Sequence, residues 1–124
     1  MQNKRMSRRL QVNFPAFIDL DGEVFEGSVR EIGDGGIRLE CARDIKPSQT
    51  GMFGLSASVD AETLWLKGEV LYKYPAAQGS RLFQYGIRFV EMDAEGKDAL
   101  ASLLRLITIR GRYAPKRSGI IGED

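Results

Sequence analysis

The 124-residue chain contains no histidine and a single cysteine. Without histidine it can form neither a Ser-His-Asp triad nor a histidine metal site, and the commonest general base is missing. One cysteine can form neither an internal disulfide nor a CxxC zinc or redox pair. Because no histidine can activate it, we interpret Cys41 as a small buried apolar residue. We therefore predict no catalytic residue and no metal ligand, and a protein that is not an enzyme.

Long apolar runs are missing as well. No stretch approaches the roughly 20 apolar residues of a membrane helix. The basic residues near the start are not followed by the apolar run of a secretory signal. We therefore expect a cytoplasmic protein without membrane insertion. The length suits a single domain, and 43% hydrophobic with 28% charged residues is ordinary for a globular one.

The net charge of +1 conceals an asymmetry along the chain. Residues 1–13 carry +4 and residues 105–124 carry +3, whereas residues 14–104 carry −6. A nucleic-acid footprint needs a continuous basic stripe, so we expect no DNA or RNA partner. Basic ends around an acidic body suit a small anion held at one place or an acidic protein partner, or they serve only solubility.

Apolar and polar residues alternate from Val12 to Leu20, a period of two that predicts a half-buried strand. Asp21-Gly22 is a strong hairpin signal and predicts a second strand over 23–31. Gly33-Asp34-Gly35-Gly36 predicts the next turn, because glycine takes positive φ without steric cost. Further strands are predicted over 37–41, 52–59, 63–73 and 82–92. Six short strands separated by turns indicate an antiparallel barrel or sandwich.

The period changes after the last strand. Four apolar residues recur at helical spacing, namely Leu100, Leu103, Leu104 and Ile107. They predict an amphipathic helix that covers an open end or face of the barrel. Asp93 is the expected N-cap and Gly111 the expected end.

Two aromatic residues of the fifth predicted strand, Trp65 and Tyr72, could suggest a stacking platform for single-stranded nucleic acid. Their odd spacing places them on opposite faces of a regular strand. We therefore interpret them as separate core or surface aromatic residues.

Four segments in order carry a resemblance to a known family: Arg5–Val12 with an RxxxR spacing, Val29–Leu39, Leu66–Val70 and Tyr85–Phe89. Together they resemble the PilZ domain, a bacterial barrel with a helix, many of whose members bind cyclic di-GMP (c-di-GMP). The resemblance implies an all-β-dominated fold, a six-stranded antiparallel β-barrel with one C-terminal α-helix. We assign residues 1–10 to a basic N-terminal arm, 11–110 to barrel and helix, and 111–124 to a mobile tail.

The resemblance also implies a ligand site, in which the arginine arm closes over c-di-GMP beside the glycine-rich turn. Guanidinium groups match phosphate oxygens bidentately and stack on purines, which suits a ligand with two phosphates and two guanines. The candidate ligand-binding residues are Arg5, Arg8, Arg9, Glu31, Gly33 and Gly36. Arg38 and Arg88 lie in strand contexts typical of the family, and we interpret them as structural, pairing with acids along the sheet.

The turn departs from the family pattern [D/N]xSxxG. Glu31 replaces Asp or Asn, Gly33 replaces Ser, and the final Gly36 matches. Each lost hydrogen bond costs about 0.5–1.5 kcal/mol, so we expect weakened binding. The prediction is a c-di-GMP receptor or adaptor that switches an unidentified protein partner as its arginine arm orders. The alternative is a PilZ-like interaction module that no longer binds the nucleotide. Neither needs another cofactor.

Overall fold

The computed structural model describes residues 9–58, 62–75 and 77–113, with side chains described to residue 109. Six strands and one helix follow in order: β1 Arg9–Leu20, β2 Glu23–Gly33, β3 Gly36–Cys41, β4 Thr50–Leu55, β5 Leu64–Tyr74, β6 Phe83–Phe89 and α1 Ala94–Tyr113. The strands close into a barrel in the order β1-β2-β3-β6-β5-β4, and each neighbouring pair is antiparallel. The predicted six-stranded barrel with a C-terminal helix is confirmed.

The alternation along β1 places its apolar residues inside the barrel. Ala16 and Ile18 are fully buried, whereas their neighbour Pro15 is exposed. Asp21 and Gly22 take φ of 54° and 88°, and the Gly22 amide donates to Asp19 Oδ1 at 2.9 Å. Positive φ at both central positions is the geometry that a two-residue hairpin requires, so the predicted turn is confirmed.

Tyr85 and Cys41 carry a hydroxyl and a thiol into the apolar core. Tyr85 is fully buried, and its hydroxyl donates to Arg43 O at 2.7 Å and accepts from the Ile45 amide at 2.8 Å. Cys41 is 2% exposed, and burial raises the pKa of its thiol. Because the thiolate is the nucleophilic form, this environment keeps Cys41 unreactive, and its interpretation as a buried apolar residue is confirmed.

Helix α1 begins where the sequence predicts. The Asp93 carboxylate accepts from the Gly96 amide at 2.7 Å, which caps the first turn. Leu100 is buried, and the next apolar residues of the helical pattern pack against the barrel core. The predicted end at Gly111 is wrong, since the helix continues to Tyr113. Glycine in a helix costs only about 1 kcal/mol relative to alanine, too little to end it without a left-handed cap.

Strand ends and faces differ from the prediction where the chain leaves regular geometry. Strand β4 begins at Thr50 and ends at Leu55, and β6 ends at Phe89, before Glu91 turns the chain with φ 54°. In β5, Val70 pairs with Ile87 and Tyr72 with Gly86, so Leu71 is an extra, bulged residue.

That bulge reverses the alternation along β5. Tyr72 is therefore exposed on the same outer surface as Trp65, and the prediction of opposite faces is wrong. Trp65 packs over Gly54 of β4, where its ring carbons lie 2.9 Å from the position a Cβ would take. Tyr72 lies toward the other end of the strand, where it lines a groove to which Trp65 does not contribute.

Candidate functional site

A groove of about 250 Å³ lies on the outer surface of the barrel, beside the β2–β3 loop (residues 33–36). Strands β1, β2, β3, β5 and β6 all contribute to it. We call it the loop groove. Its charged and aromatic lining consists of Arg9, Glu31, Arg38, Tyr72, Tyr74 and Arg88.

A bulge in β2 turns Glu31 toward the loop groove. Val29 and Ile32 are both fully buried although they are three residues apart, an odd spacing that a regular strand cannot bury on one side. The register shifts between Val29 and Glu31, so Arg30 is the extra residue. Glu31 therefore points outward, opposite Arg38 of β3.

Glu31 is held by two donors from β1. Arg9 Nη1 lies 3.4 Å from Glu31 Oε1, and Gln11 Nε2 donates to Oε2 at 2.8 Å. The Arg9 side chain is 72% exposed, whereas that of Glu31 is 17% exposed. An ion pair with one partner in water is weak, so an anion entering the groove can recruit the Arg9 guanidinium at little cost.

In the glycine-rich turn, Gly36 is required for the close approach of two strands rather than for positive φ. A Cβ on Gly36 would lie 2.0 Å from the backbone oxygen of Ile87, so only glycine lets β3 and β6 approach here. Among the described glycines, positive φ occurs at Gly22 and Gly79, so the expected reason for the turn glycines is wrong. Gly33 ends β2 and lines the groove without a hydroxyl.

Two tyrosines and an arginine form the opposite wall of the loop groove. The rings of Tyr72 and Tyr74 have centroids 6.1 Å apart and are inclined by 33°. The Arg38 guanidinium lies over the Tyr74 ring, 5.8 Å from its centroid. Gly86 leaves room for Tyr72, whose Cδ2 lies 2.8 Å from the position a Cβ would take. This wall can stack flat rings and bind anions together.

The two strand arginines differ in their partners. Arg88 Nη2 donates to Glu69 Oε1 at 2.6 Å, the pairing with an acid that the sequence predicts. Arg38 forms no ion pair with any described residue, and its partner is the Tyr74 ring. Its interpretation as an acid-paired residue is therefore wrong.

The structure brings four of the predicted ligand residues to this groove, namely Arg9, Glu31, Gly33 and Gly36. Arg5 and Arg8 lie outside the described residues. Sequence reasoning missed the aromatic wall, because the β5 bulge hides Tyr72 from any count of alternating faces. The Tyr-x-Tyr spacing of Tyr72 and Tyr74 is the signal that could indicate a shared face.

The profile of the PilZ domain matches residues 3–106. The chain belongs to the PilZ domain family. PilZ domains are regulatory binding modules. A search of curated proteins finds no significant match.

Solved structures share this PilZ fold. The PilZ domain of YcgR from Escherichia coli, described with c-di-GMP, aligns with TM-score 0.75 at 10% identity, over 94% of this chain and 99% of that one. The Bacillus subtilis inhibitor of motility MotI/DgrA aligns with TM-score 0.70 at 15% identity, over 90% of this chain and 54% of that one. At such identities the likeness shows the fold alone.

A pathogenic protein from Xanthomonas campestris, described as a tetrameric PilZ domain assembled through a helical bundle, aligns with TM-score 0.59 at 28% identity. The alignment covers 73% of this chain and 50% of that one. The chain thus spans about half the length of this structure and of the Bacillus structure.

In residues 9–58, 62–75 and 77–113, no helix is long and apolar enough to cross a membrane. Within the same ranges no three His, Cys, Asp or Glu side chains lie close enough together to hold a metal ion.

Proposed function

We propose that this chain is a PilZ-type receptor that binds c-di-GMP in the loop groove. The observation that carries the proposal is the meeting of the Arg9, Arg38 and Arg88 guanidinium groups with the tyrosine wall beside the glycine turn. Two phosphates need bidentate cationic donors, and two guanines need flat stacking partners and hydrogen-bonding edges. The YcgR domain described with c-di-GMP has the same fold, which adds support.

In this proposal the glycine turn and the tyrosine wall hold the bases. Tyr72 and Tyr74 are 58% and 43% exposed, so a guanine can stack on either ring without displacing the barrel. Glu31 holds Arg9 in an exposed ion pair until a phosphate recruits that guanidinium. Gly33 and Gly36 line the groove without side chains, and Gly36 also fixes the distance between β3 and β6.

The size of the groove supports a role for the N-terminal arm. Its volume of about 250 Å³ is below the roughly 300–1,000 Å³ of pockets that enclose comparable ligands. One side of a bound dinucleotide would therefore stay uncovered unless another segment closes over it. Arg9 begins β1 and lines the groove, and Arg5 and Arg8 precede it in sequence. We propose that these arginines close over the phosphates.

Closure of the arm supplies the switch. A ligand that contacts the arm and the barrel together favours the closed arrangement by the contacts that only this arrangement makes. The surface around the groove then changes from an exposed nucleotide site to a covered one. We propose that a protein partner in the cytoplasm recognises one of these two surfaces.

One observation favours the alternative of an interaction module without a nucleotide. Glu31 already accepts hydrogen bonds from Arg9 and Gln11, and Gly33 supplies no hydroxyl. The acceptor that a guanine needs is thus engaged within the protein. In this alternative the groove region contacts a partner protein directly, and the partner binds equally well with and without c-di-GMP.

Calorimetric titration of the full chain with c-di-GMP tests the proposal. Arg5→Ala/Arg9→Ala should abolish the binding heat. Arg30→Ala/Arg81→Ala removes the same charge from described residues outside the loop groove and should leave the heat unchanged. A parent protein that releases no heat at high micromolar ligand would exclude the receptor and favour the interaction module. Partner capture that requires c-di-GMP would exclude the module.

A further inference from the structure

A second, larger groove of about 730 Å³ runs along α1. We call it the helix groove. Met92, Leu100, Leu104 and Ile109 provide its apolar wall, and Lys97 and Arg105 lie among them. Asp34 of the β2–β3 loop borders it, so the same loop separates it from the loop groove.

The barrel leaves much of this wall uncovered. Leu100 is buried at 3% exposure, but Ile109 is 45% exposed, and Met92 and Leu104 are only partly buried. Met92 and Leu104 pack against the barrel core, as Leu103 and Ile107 do, and Leu100 belongs to that core. The groove wall is therefore the exposed edge of the apolar strip that anchors α1, extended by Ile109. A concave, mainly apolar groove of this volume is a candidate binding site.

We propose that residues 114–124 of this same chain occupy the helix groove. The segment follows α1 directly, and its Pro115 disfavours continuation of the helix. Its one apolar pair, Ile120-Ile121, matches the apolar wall. Glu123 and Asp124 follow that pair, and the groove offers them Lys97 and Arg105.

The order of these residues fits a segment running back along the helix. From Tyr113, Leu104 lies roughly 14 Å and Lys97 roughly 24 Å back at 1.5 Å per helical residue. An extended chain spans roughly 3.3 Å per residue, so Ile121 can reach about 26 Å and Asp124 about 36 Å. The apolar pair therefore reaches the wall at Leu104, and the acids reach Lys97, without stretching the chain.

Tethering favours the chain's own segment over another occupant. A short flexible link keeps a segment at an effective concentration in the millimolar range, far above micromolar concentrations of a second copy or a partner. A weak apolar contact with one or two ion pairs is then enough. The PilZ match ends at residue 106, so the segment and the Thr108–Ile109 end of the groove lie beyond the family pattern.

Paramagnetic relaxation in methyl NMR spectra of the full chain, without nucleotide, tests this docking. A nitroxide is attached at Gly122→Cys; native Cys41 is 2% exposed and therefore shielded, and mass spectrometry verifies single labelling. We expect loss of the methyl signals of Ala101, Leu104 and Ile109. The Val24 methyl signals, at the opposite end of β2, should persist.

Two tail variants carry the label as well. Ile120→Asp/Ile121→Asp should restore the lost signals. Ser118→Asp/Gly119→Asp adds the same charge next to the apolar pair and should leave them lost.

Mixed samples decide whose segment is bound. Isotope-labelled protein without nitroxide is combined with nitroxide-labelled protein without isotope. Signal loss that is as strong in this mixture as in the sample carrying both labels on one chain overturns the proposal in favour of a second copy's segment. No loss in any sample overturns docking altogether. Because no nucleotide is present, neither outcome bears on the c-di-GMP receptor.

Discussion

The two grooves on either side of the β2–β3 loop differ in volume, in the chemistry of their lining residues and in whether the PilZ match includes all of those residues. The loop groove has about 250 Å³ lined by guanidinium groups and tyrosine rings, whereas the helix groove has about 730 Å³ with a mainly apolar wall. Every lining residue of the loop groove falls within the PilZ match, but the helix groove extends past residue 106 to Ile109. One loop can therefore serve two chemistries: Gly33, Gly35 and Gly36 face the polar groove, and Asp34 faces the apolar one.

Among changes that would distinguish the two grooves, we expect the largest effect on stability and binding from Gly36→Ala in the loop groove. The added Cβ would lie 2.0 Å from the Ile87 backbone oxygen, so β3 and β6 must separate. We expect a loss of roughly 1–3 kcal/mol in the free energy of unfolding, typical of overpacking, and loss of measurable c-di-GMP binding. Denaturant unfolding and calorimetry measure the two effects.

Gly35→Ala is the matched control for this prediction. No atom lies within 4 Å of the position its Cβ would take, and both glycines belong to the same loop region. Its stability should equal that of the parent. Equal stability of the two variants would show that the close approach at Gly36 has no structural role.

The next largest effect is expected from Arg9→Ala. Hydrogen bonds to charged groups contribute about 1.5–3 kcal/mol, so c-di-GMP affinity should fall about 10- to 150-fold. Arg30→Ala is the matched control, because Arg30 pairs with Glu40 at 3.7 Å and does not line either groove. Titration of both variants measures the difference. Similar losses in both would mean that only net charge matters and that the loop groove is not the site.

For the tyrosine wall we expect a loss of c-di-GMP affinity comparable to or smaller than that of Arg9→Ala. Tyr72→Ala removes one stacking ring, and stacking contributes about 1–3 kcal/mol per base, so affinity should fall about 5- to 150-fold. Tyr72→Phe keeps the ring and should bind like the parent. Trp65→Ala removes an exposed aromatic residue from the other end of the same strand and should change affinity little. Titration of all three variants with c-di-GMP measures these effects. Normal binding by Tyr72→Ala would contradict stacking.

The smallest change in c-di-GMP affinity, and the only increase, is expected from Glu31→Gln. The change releases Arg9 from an exposed ion pair of about 0–1 kcal/mol and removes a negative charge near the phosphates, so affinity should rise about two- to fivefold. Glu40→Gln breaks the similar pair with Arg30 outside the groove and should have no effect. A fall in affinity for Glu31→Gln in the same titration would instead mean that the carboxylate accepts from a guanine.

Most of the fold could be predicted from local pattern. Alternation over Val12–Leu20, the Asp21-Gly22 turn and the Leu100–Ile107 spacing all match the structure. Each of these predictions depends on the periodicity of a single strand, turn or helix, which can be read from residues close together in sequence. The errors occur at bulges and ends. One extra residue, Leu71, reverses the faces after it, and no local pattern distinguishes Gly111 within a helix from Gly111 at its end.

The sequence by itself determined the strands of an antiparallel barrel or sandwich, the capped helix and the exclusion of histidine chemistry. Through its family motifs it also indicated the closed barrel and Arg9, Glu31, Gly33 and Gly36 as site candidates. Only the tertiary structure decided which side chains meet them. Arg38, Tyr72, Tyr74 and Arg88 come from three neighbouring strands, β3, β6 and β5, and two bulges turn Glu31 and Tyr72 outward. The physical reason is that strand register is set by long-range packing of the buried faces, which brings residues far apart in sequence to one surface.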